Sequence, residues 1–155
     1  MTDAMPQTQI DWSKGLPLTA GPYFMGLYQP SPETVGFWQG VAAGELRLKL
    51  CRDCGKLWHP KRIVCTACGS SDLDWQKALG TGEIYSFSEV HRPPTPAFAD
   101  SVPYALGIVR LDEGVHLFTR FFAVPGTLAI GARARVDFRL LELGQKMPVF
   151  LVDKT

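Results

Sequence analysis

Cys51-Arg52-Asp53-Cys54-Gly55 and Cys65-Thr66-Ala67-Cys68-Gly69 are two Cys-x-x-Cys pairs, each followed by glycine, with ten residues between Cys54 and Cys65, and they use every cysteine of the 155-residue chain. Two residues between paired cysteines let each pair wrap one side of a tetrahedral ion, and four thiolates at about 2.3 Å suit Zn²⁺. The glycine after each pair frees the backbone to turn and aim its N–H groups at sulfur. Cys51, Cys54, Cys65 and Cys68 are therefore the expected ligands of a structural zinc. The same cysteines also admit two disulfides, or iron in a rubredoxin-like site. The opening Met1-Thr2-Asp3-Ala4-Met5-Pro6 has neither a basic start nor an apolar run. A cytoplasmic, reducing setting is thus expected, which favours metal over disulfides. Four thiolates close the coordination sphere, so neither Lewis-acid chemistry nor ligation by His59, His91 or His116 is expected.

Outward from the knuckles the chain is locally cationic. Between Glu45 and Arg62 stand six basic residues (Arg47, Lys49, Arg52, Lys56, Lys61, Arg62) and two acidic ones, Glu45 and Asp53. Such a surface suits phosphate groups or an acidic partner. The whole chain carries a formal charge of only +1, with 46% hydrophobic residues. That balance fits one or two small soluble domains and argues against a general nucleic-acid surface. No apolar run approaches the ~20 residues of a membrane span.

Upstream, Leu46, Leu48 and Leu50 alternate with Arg47 and Lys49, predicting a strand with one buried face that delivers the chain to Cys51. Before it, Ser31-Pro32-Glu33 reads as a helix start with Ser31 as N-cap; Phe37, Trp38 and Val41 share a face, and the helix stops near Gly44. Residues 1–30 contain Pro6, Pro17, Pro22 and Pro30 and no sustained period, which predicts an extended arm. That arm carries Trp12, Leu16, Leu18, Tyr23, Phe24, Met25, Leu27 and Tyr28. It is too apolar for a solvated linker, so it either folds back on its own core or lies on another protein.

Downstream, Leu73–Trp75 closes the ribbon, and from Gly80 the pattern is all β. Strands are expected at Glu83–Val90, Tyr104–Leu111, Val115–Phe122, Ala132–Leu140 and Val149–Val152, the second and third joined at Asp112-Glu113-Gly114. Five short strands fit a small closed barrel of the oligonucleotide/oligosaccharide-binding (OB) type. The expected fold is mainly β with an N-terminal helix: arm 1–30, helix 31–45, rubredoxin-like zinc ribbon 46–79, five-stranded OB barrel 80–155.

Several separated motifs follow one another in an order that resembles a known family. They are Phe37-Trp38-Gln39-Gly40, Gly44-Glu45-Leu46, Cys51-Arg52-Asp53-Cys54-Gly55-Lys56, the second knuckle with Gly69-Ser70, Tyr85-Ser86-Phe87, His91-Arg92-Pro93-Pro94 and Ile130-Gly131. They resemble the zinc-ribbon/OB-fold proteins catalogued as domain of unknown function 35, over roughly residues 33–152. The resemblance implies a helper subunit of acyl-coenzyme A metabolism, complexed with a thiolase-superfamily enzyme (a thiolase or a thiolase-like aldolase) in a hetero-oligomer. It offers no catalytic residues to carry over, and the sequence shows no Gly-x-Ser-x-Gly elbow, phosphate-binding glycine loop or uncommitted cysteine. Asp112 and Glu113 read as turn residues and Ser86 and Ser88 as sheet residues.

If coenzyme A is the substrate handle, Lys56, Lys61 and Arg62 are the candidate contacts for its phosphates. The proline-stiffened loop His91–Phe98 is the candidate partner surface through Arg92, Pro93, Pro94 and an apolar tip at Phe98, joined by Trp12, Tyr23 and Phe24 of the arm. Two readings from other classes remain open at this point: a nucleic-acid-binding zinc-ribbon/OB protein and a rubredoxin-like electron carrier.

Overall fold

The computed structural model describes residues 31–142 and 146–153. The arm residues Trp12, Tyr23 and Phe24 lie outside them. Helix α1 (Val35–Ala42) leads into a three-stranded antiparallel sheet of β1 (Arg47–Cys51), β2 (Leu57–Trp58) and β3 (Leu73–Lys77), ordered β2-β1-β3. A closed barrel follows, built of β4 (Thr81–Val90), β5 (Tyr104–Leu111), β6 (His116–Phe122), β7 (Arg133–Leu140) and β8 (Lys146–Val152) in the order β4-β5-β6-β8-β7. The mainly β fold expected from the sequence, with its helix, ribbon and five-stranded barrel, is the one observed.

Ser31 is not the N-cap. It opens a turn, with the Thr34 N–H donating to the Ser31 carbonyl at 2.8 Å, and the helix begins only after Thr34. The Thr34 hydroxyl faces back, accepting the Ser31 N–H at 2.9 Å, so it does not cap the helix either.

Strand β1 departs from the one-sided expectation. Leu46 and Leu48 are buried as predicted, but Lys49 on the opposite face is buried too. Its stem is covered and its ammonium sits 3.8 Å from the centre of the Trp75 ring, where the aromatic face offsets part of the desolvation that lowers its pKa. The return strand is longer than Leu73–Trp75: it pairs with β1 from Cys51↔Leu73 to Arg47↔Lys77.

In the barrel, β5 matches its predicted bounds and alternates strictly, with Ala105, Gly107, Val109 and Leu111 inward. Strand β4 does not alternate throughout. Its pairing with β5 slips between Ile84 and Ser86, leaving Tyr85 in a bulge and 52% exposed. At the bulge the Ile84 carbonyl accepts the Gly131 N–H and the Ile84 N–H donates to the Ala132 carbonyl, which ties β4 to the segment leading into β7.

Strand β8 starts at Lys146, three residues before the expected Val149. Pro148 disguised it. The proline is tolerated because it pairs with Phe138 on β7, whereas β8 meets β6 only later, at Phe150 and Leu151. Gly80 makes the crossing from ribbon to barrel: its φ is +77°, its carbonyl accepts the Val136 N–H, and a Cβ there would lie 2.5 Å from Val136 Cγ1.

One hydrophobic cluster joins the two parts. Ile84, Val109, Leu111, Leu117, Phe121, Ala134 and Phe150 fill the barrel, and Leu46 and Leu48 of the ribbon pack into the same cluster. The ribbon root and the barrel are therefore expected to unfold together.

Candidate metal centre and adjoining cleft

Strand β1 ends at Cys51, and the same local pattern is built twice. Gly55 and Gly69 take φ of +72° and +78°, and each donates its N–H to the carbonyl of the first cysteine of its knuckle at 2.8 Å. Cys51 donates to the Lys56 carbonyl and Cys65 to the Ser70 carbonyl, closing the two turns. The four sulfurs lie within 4.8 Å of one another, the predicted quartet and no other residue type.

Two of the separations are 3.6 Å (Cys51 to Cys68) and 3.5 Å (Cys54 to Cys65). A disulfide would need about 2.05 Å. A tetrahedral ion with sulfurs at about 2.3 Å would hold them about 3.8 Å apart, close to what is observed. The residues present therefore fit zinc.

The electrostatics point the same way. Against the cost of burial, the N–H groups of Cys68 and Ala67 bring the Cys65 thiol down to about 6. The Ser70 N–H favours the Cys68 thiolate, but burial and the sulfurs of Cys51, Cys65 and Cys54 outweigh it and hold that thiol up to about 12. Four thiolates do not coexist in this space without a cation among them.

The histidines are engaged elsewhere. His59 Nδ1 accepts the Lys61 N–H at 3.2 Å, and desolvation with the nearby Lys61 and Arg62 lowers its pKa. His91 lies 3.5 Å from Glu89, and His116 stands edge-on to Tyr85 at 4.7 Å.

Lys56, Lys61 and Arg62 are all exposed on the ribbon, with the Arg62 guanidinium 5.1 Å from the Trp58 ring. The barrel arginines, by contrast, are paired with carboxylates: Arg110 with Glu83, Arg133 with Asp112, Arg135 with Asp153 and Arg139 with Asp137. Asp112 accepts two bonds from Arg133 at 2.8 Å and one from Thr81, which hold its carboxyl well below the usual range, while Glu113 accepts the Leu79 N–H. These adjacent carboxylates tie the β5–β6 turn to the start of β4 and β7.

In the loop after β4, Arg92, Pro93 and Pro94 are exposed. Phe98 is not a free tip. It ends a single 3-10 turn (Pro96–Phe98), is half-buried, and lies 5.9 Å from the Tyr104 ring. The turn is closed by the Phe98 and Ala99 N–H groups, which donate to the Thr95 and Pro96 carbonyls, and the loop meets the barrel where Phe98 faces Tyr104.

Sequence reasoning missed a cleft of about 540 Å³ where helix, ribbon and barrel meet. Phe37 and Trp38 of α1, Lys61 of the ribbon, and Phe118, Met147 and Pro148 of the barrel contribute to its walls. Arg120 and Glu142, an ion pair with both side chains nearly buried, lie at its edge, the guanidinium 4.5 Å from the Tyr104 ring centre. One signal for it was in the sequence: Phe118 occupies an outward position of β6, between the inward Leu117 and Thr119.

Comparison with known proteins places both parts. A family model described as the ChsH2 rubredoxin-like zinc ribbon domain matches residues 38–74, and one described as the ChsH2 C-terminal OB-fold domain matches residues 75–139. A DUF35 domain-containing scaffold protein of Methanothermobacter thermautotrophicus is 33% identical over 110 residues, covering 69% of this chain and 82% of that protein. A probable enoyl-CoA hydratase alpha subunit of Thermomonospora curvata is 35% identical over 116 residues, but the chain spans only 36% of its length. Among solved structures, a chain of the Ltp2-ChsH2(DUF35) aldolase aligns with a TM-score of 0.71 and 31% identity, over 80% of this chain and 98% of that one. With two adjacent domains matched and most of a scaffold relative covered, the chain belongs to the DUF35 family of zinc-ribbon/OB-fold proteins.

Proposed function

We propose that this chain is a non-catalytic subunit that binds a thiolase-superfamily enzyme, a thiolase or a thiolase-like aldolase, and supports acyl-CoA binding and turnover by the complex. The observation that carries the reading is the alignment over 98% of a chain from the Ltp2-ChsH2(DUF35) aldolase. Relatives described as scaffold proteins and as an alpha subunit of an enoyl-CoA hydratase support an accessory role.

Cys51, Cys54, Cys65 and Cys68 would hold Zn²⁺, whose contribution is folding energy with no open position for chemistry. The ribbon and barrel then act as a rigid platform. Arg92, Pro93 and Pro94 are exposed on a stiff loop and are the proposed contacts with the catalytic partner, with Trp12 of the arm. Lys56, Lys61 and Arg62 are exposed cations without a carboxylate partner among the described ion pairs, which suits the phosphates of coenzyme A at the end remote from the reacting acyl group.

The reading is tested by isolating the tagged full chain from its native cells at physiological salt and identifying the species that stays with it through size exclusion. A thiolase-superfamily enzyme in fixed ratio supports it. Isolation of the chain alone, or with nucleic acid as its main companion, contradicts it.

A further inference from the structure

The knuckle segment depends on its sulfurs more than on its packing. From Arg52 to Asp72 the chain buries only Pro60 and Cys65, and of this stretch Leu57 alone packs against the hydrophobic cluster. The Cys65 and Gly69 N–H groups bond within their own knuckle, to the Ser70 and Cys65 carbonyls. The link from the second knuckle to the first therefore runs through the four sulfurs, which a cation holds together. Leu46 and Leu48, at the root of the ribbon, are kept by the barrel cluster itself.

The sulfurs are not equally placed. Cys54 and Cys68 are exposed, whereas Cys51 and Cys65 are buried. Across the knuckles each exposed sulfur faces a buried one, Cys54 with Cys65 at 3.5 Å and Cys68 with Cys51 at 3.6 Å. Closing either pair to a disulfide takes an approach of about 1.5 Å. Sulfurs around a metal are thiolates, and oxidation follows thiolate character and exposure. Two reactive positions with a buried partner at hand are thus built into the site.

We propose that the ribbon is a peroxide-responsive switch, in which exposed Cys54 or Cys68 reacts first and the buried sulfur facing it, Cys65 or Cys51, closes a cross-knuckle disulfide, expelling the ion and loosening residues 52–72. The Cys54 thiolate attacks one oxygen of hydrogen peroxide, the O–O bond breaks, and hydroxide leaves behind a sulfenic acid. The Cys65 thiolate then attacks the Cys54 sulfur, the S–S bond forms, and the S–O bond breaks with loss of a second hydroxide. Two protons from solvent turn both hydroxides into water. The two sulfurs supply two electrons and the peroxide is reduced; Cys68 and Cys51 follow the same course with a second peroxide. One disulfide already withdraws two of the four donors, and two thiolates do not hold a structural zinc.

Loosening 52–72 takes Lys56, Lys61 and Arg62 out of fixed positions and removes His59, Pro60 and Lys61 from the cleft wall, while the barrel keeps its core. The sulfur chemistry is independent of any partner; only its effect on acyl-CoA turnover rests on the function proposed above.

The test treats the full, zinc-loaded chain with excess hydrogen peroxide. Zinc release is followed with a chromogenic chelator, disulfides are mapped by non-reducing peptide mass spectrometry, and backbone opening is followed by hydrogen exchange. The expected result is loss of stoichiometric zinc, disulfides Cys54–Cys65 or Cys51–Cys68, and exchange in residues 52–72 faster by about tenfold with the barrel unchanged. Dithiothreitol with added zinc should reverse all three. In Cys54→His/Cys68→His, whose Cys₂His₂ set can still hold zinc, release should slow by about tenfold; if that variant binds no zinc, the wild-type disulfide map decides alone. Zinc retained under peroxide, sulfinic or sulfonic acids in place of disulfides, or pairing only within each Cys-x-x-Cys overturns the inference. If the cross-knuckle disulfides form and turnover by the complex is unchanged, the switch fails through the proposed function and not through the sulfur chemistry.

Discussion

Gly36→Ala sets two effects of opposite sign against each other, and the structure decides between them. In an exposed helix the change would stabilise by about 1 kcal/mol, because alanine loses less backbone entropy. Gly36, however, lies against the Trp75 ring. A Cβ there would fall 2.2 Å from Nε1, 2.4 Å from Cε2 and 2.6 Å from Cδ1. To restore ordinary contact near 3.4 Å, the helix and the ring must separate by roughly 1 Å, and overpacking of this kind costs about 1–3 kcal/mol. The ring is also the seat of the Lys49 ammonium at 3.8 Å, and displacing it forfeits part of a contact worth about 0.5–2 kcal/mol. The costs outweigh the propensity gain, leaving a net destabilisation of about 1–2 kcal/mol, or a melting temperature lower by roughly 4–8 °C for a unit of this size. Thermal unfolding of the zinc-loaded full chain, followed by circular dichroism with denaturant titration alongside, measures it. A melting temperature equal to or above the wild type would refute the packing of α1 on β3.

Three further outcomes follow from the same geometry. Cys51→Ser should lose stoichiometric zinc and unfold at least the ribbon, because metal binding here is folding energy; full zinc by elemental analysis with unchanged melting would contradict the site. Lys61→Ala/Arg62→Ala should raise the complex's KM for acyl-CoA with little change in kcat, and the defect should shrink with added salt; a normal KM with weakened assembly would reassign these residues to docking. The depressed pKa of Asp112, due first to Arg133 and then to Thr81, means that its contribution to stability is present above the unfolded carboxylate value of about 3.9 and is lost as pH falls through the lower native value. Asp112→Asn should therefore be less stable than the wild type at pH 7, with the gap closing as pH falls below about 4; a gap that does not change with pH would show that the ion pair contributes nothing.

What could be read from the sequence was whatever local chemistry dictates. The knuckles were legible because two-residue spacing and a following glycine are requirements of metal geometry, and β5 was legible because its inward Ala105, Val109 and Leu111 alternate without interruption. Position and partner were harder. Lys49 reads as a solvent residue until Trp75, 26 positions later, is folded over it. Tyr85 reads as a strand residue because nothing nearby announces a bulge that serves the Gly131 and Ala132 backbone. Pro148 hid the first half of β8, since the sequence does not say which strand edge lacks a neighbour. Beyond the outward Phe118, the cleft was not legible, because its walls come from α1, the ribbon and the barrel, and only tertiary packing brings Phe37, Lys61 and Phe118 together.

The central claim, that this chain supports catalysis by another enzyme without performing it, is tested most directly by reconstitution. The catalytic subunit that co-purifies with the chain is prepared alone, the zinc-loaded chain is prepared alone, and acyl-CoA turnover is measured for each and for the stoichiometric mixture. The account predicts no turnover by the chain, and a higher kcat/KM for the mixture than for the catalytic subunit alone. Turnover by the rigorously purified chain, or a mixture no more active than the catalytic subunit by itself, would contradict it.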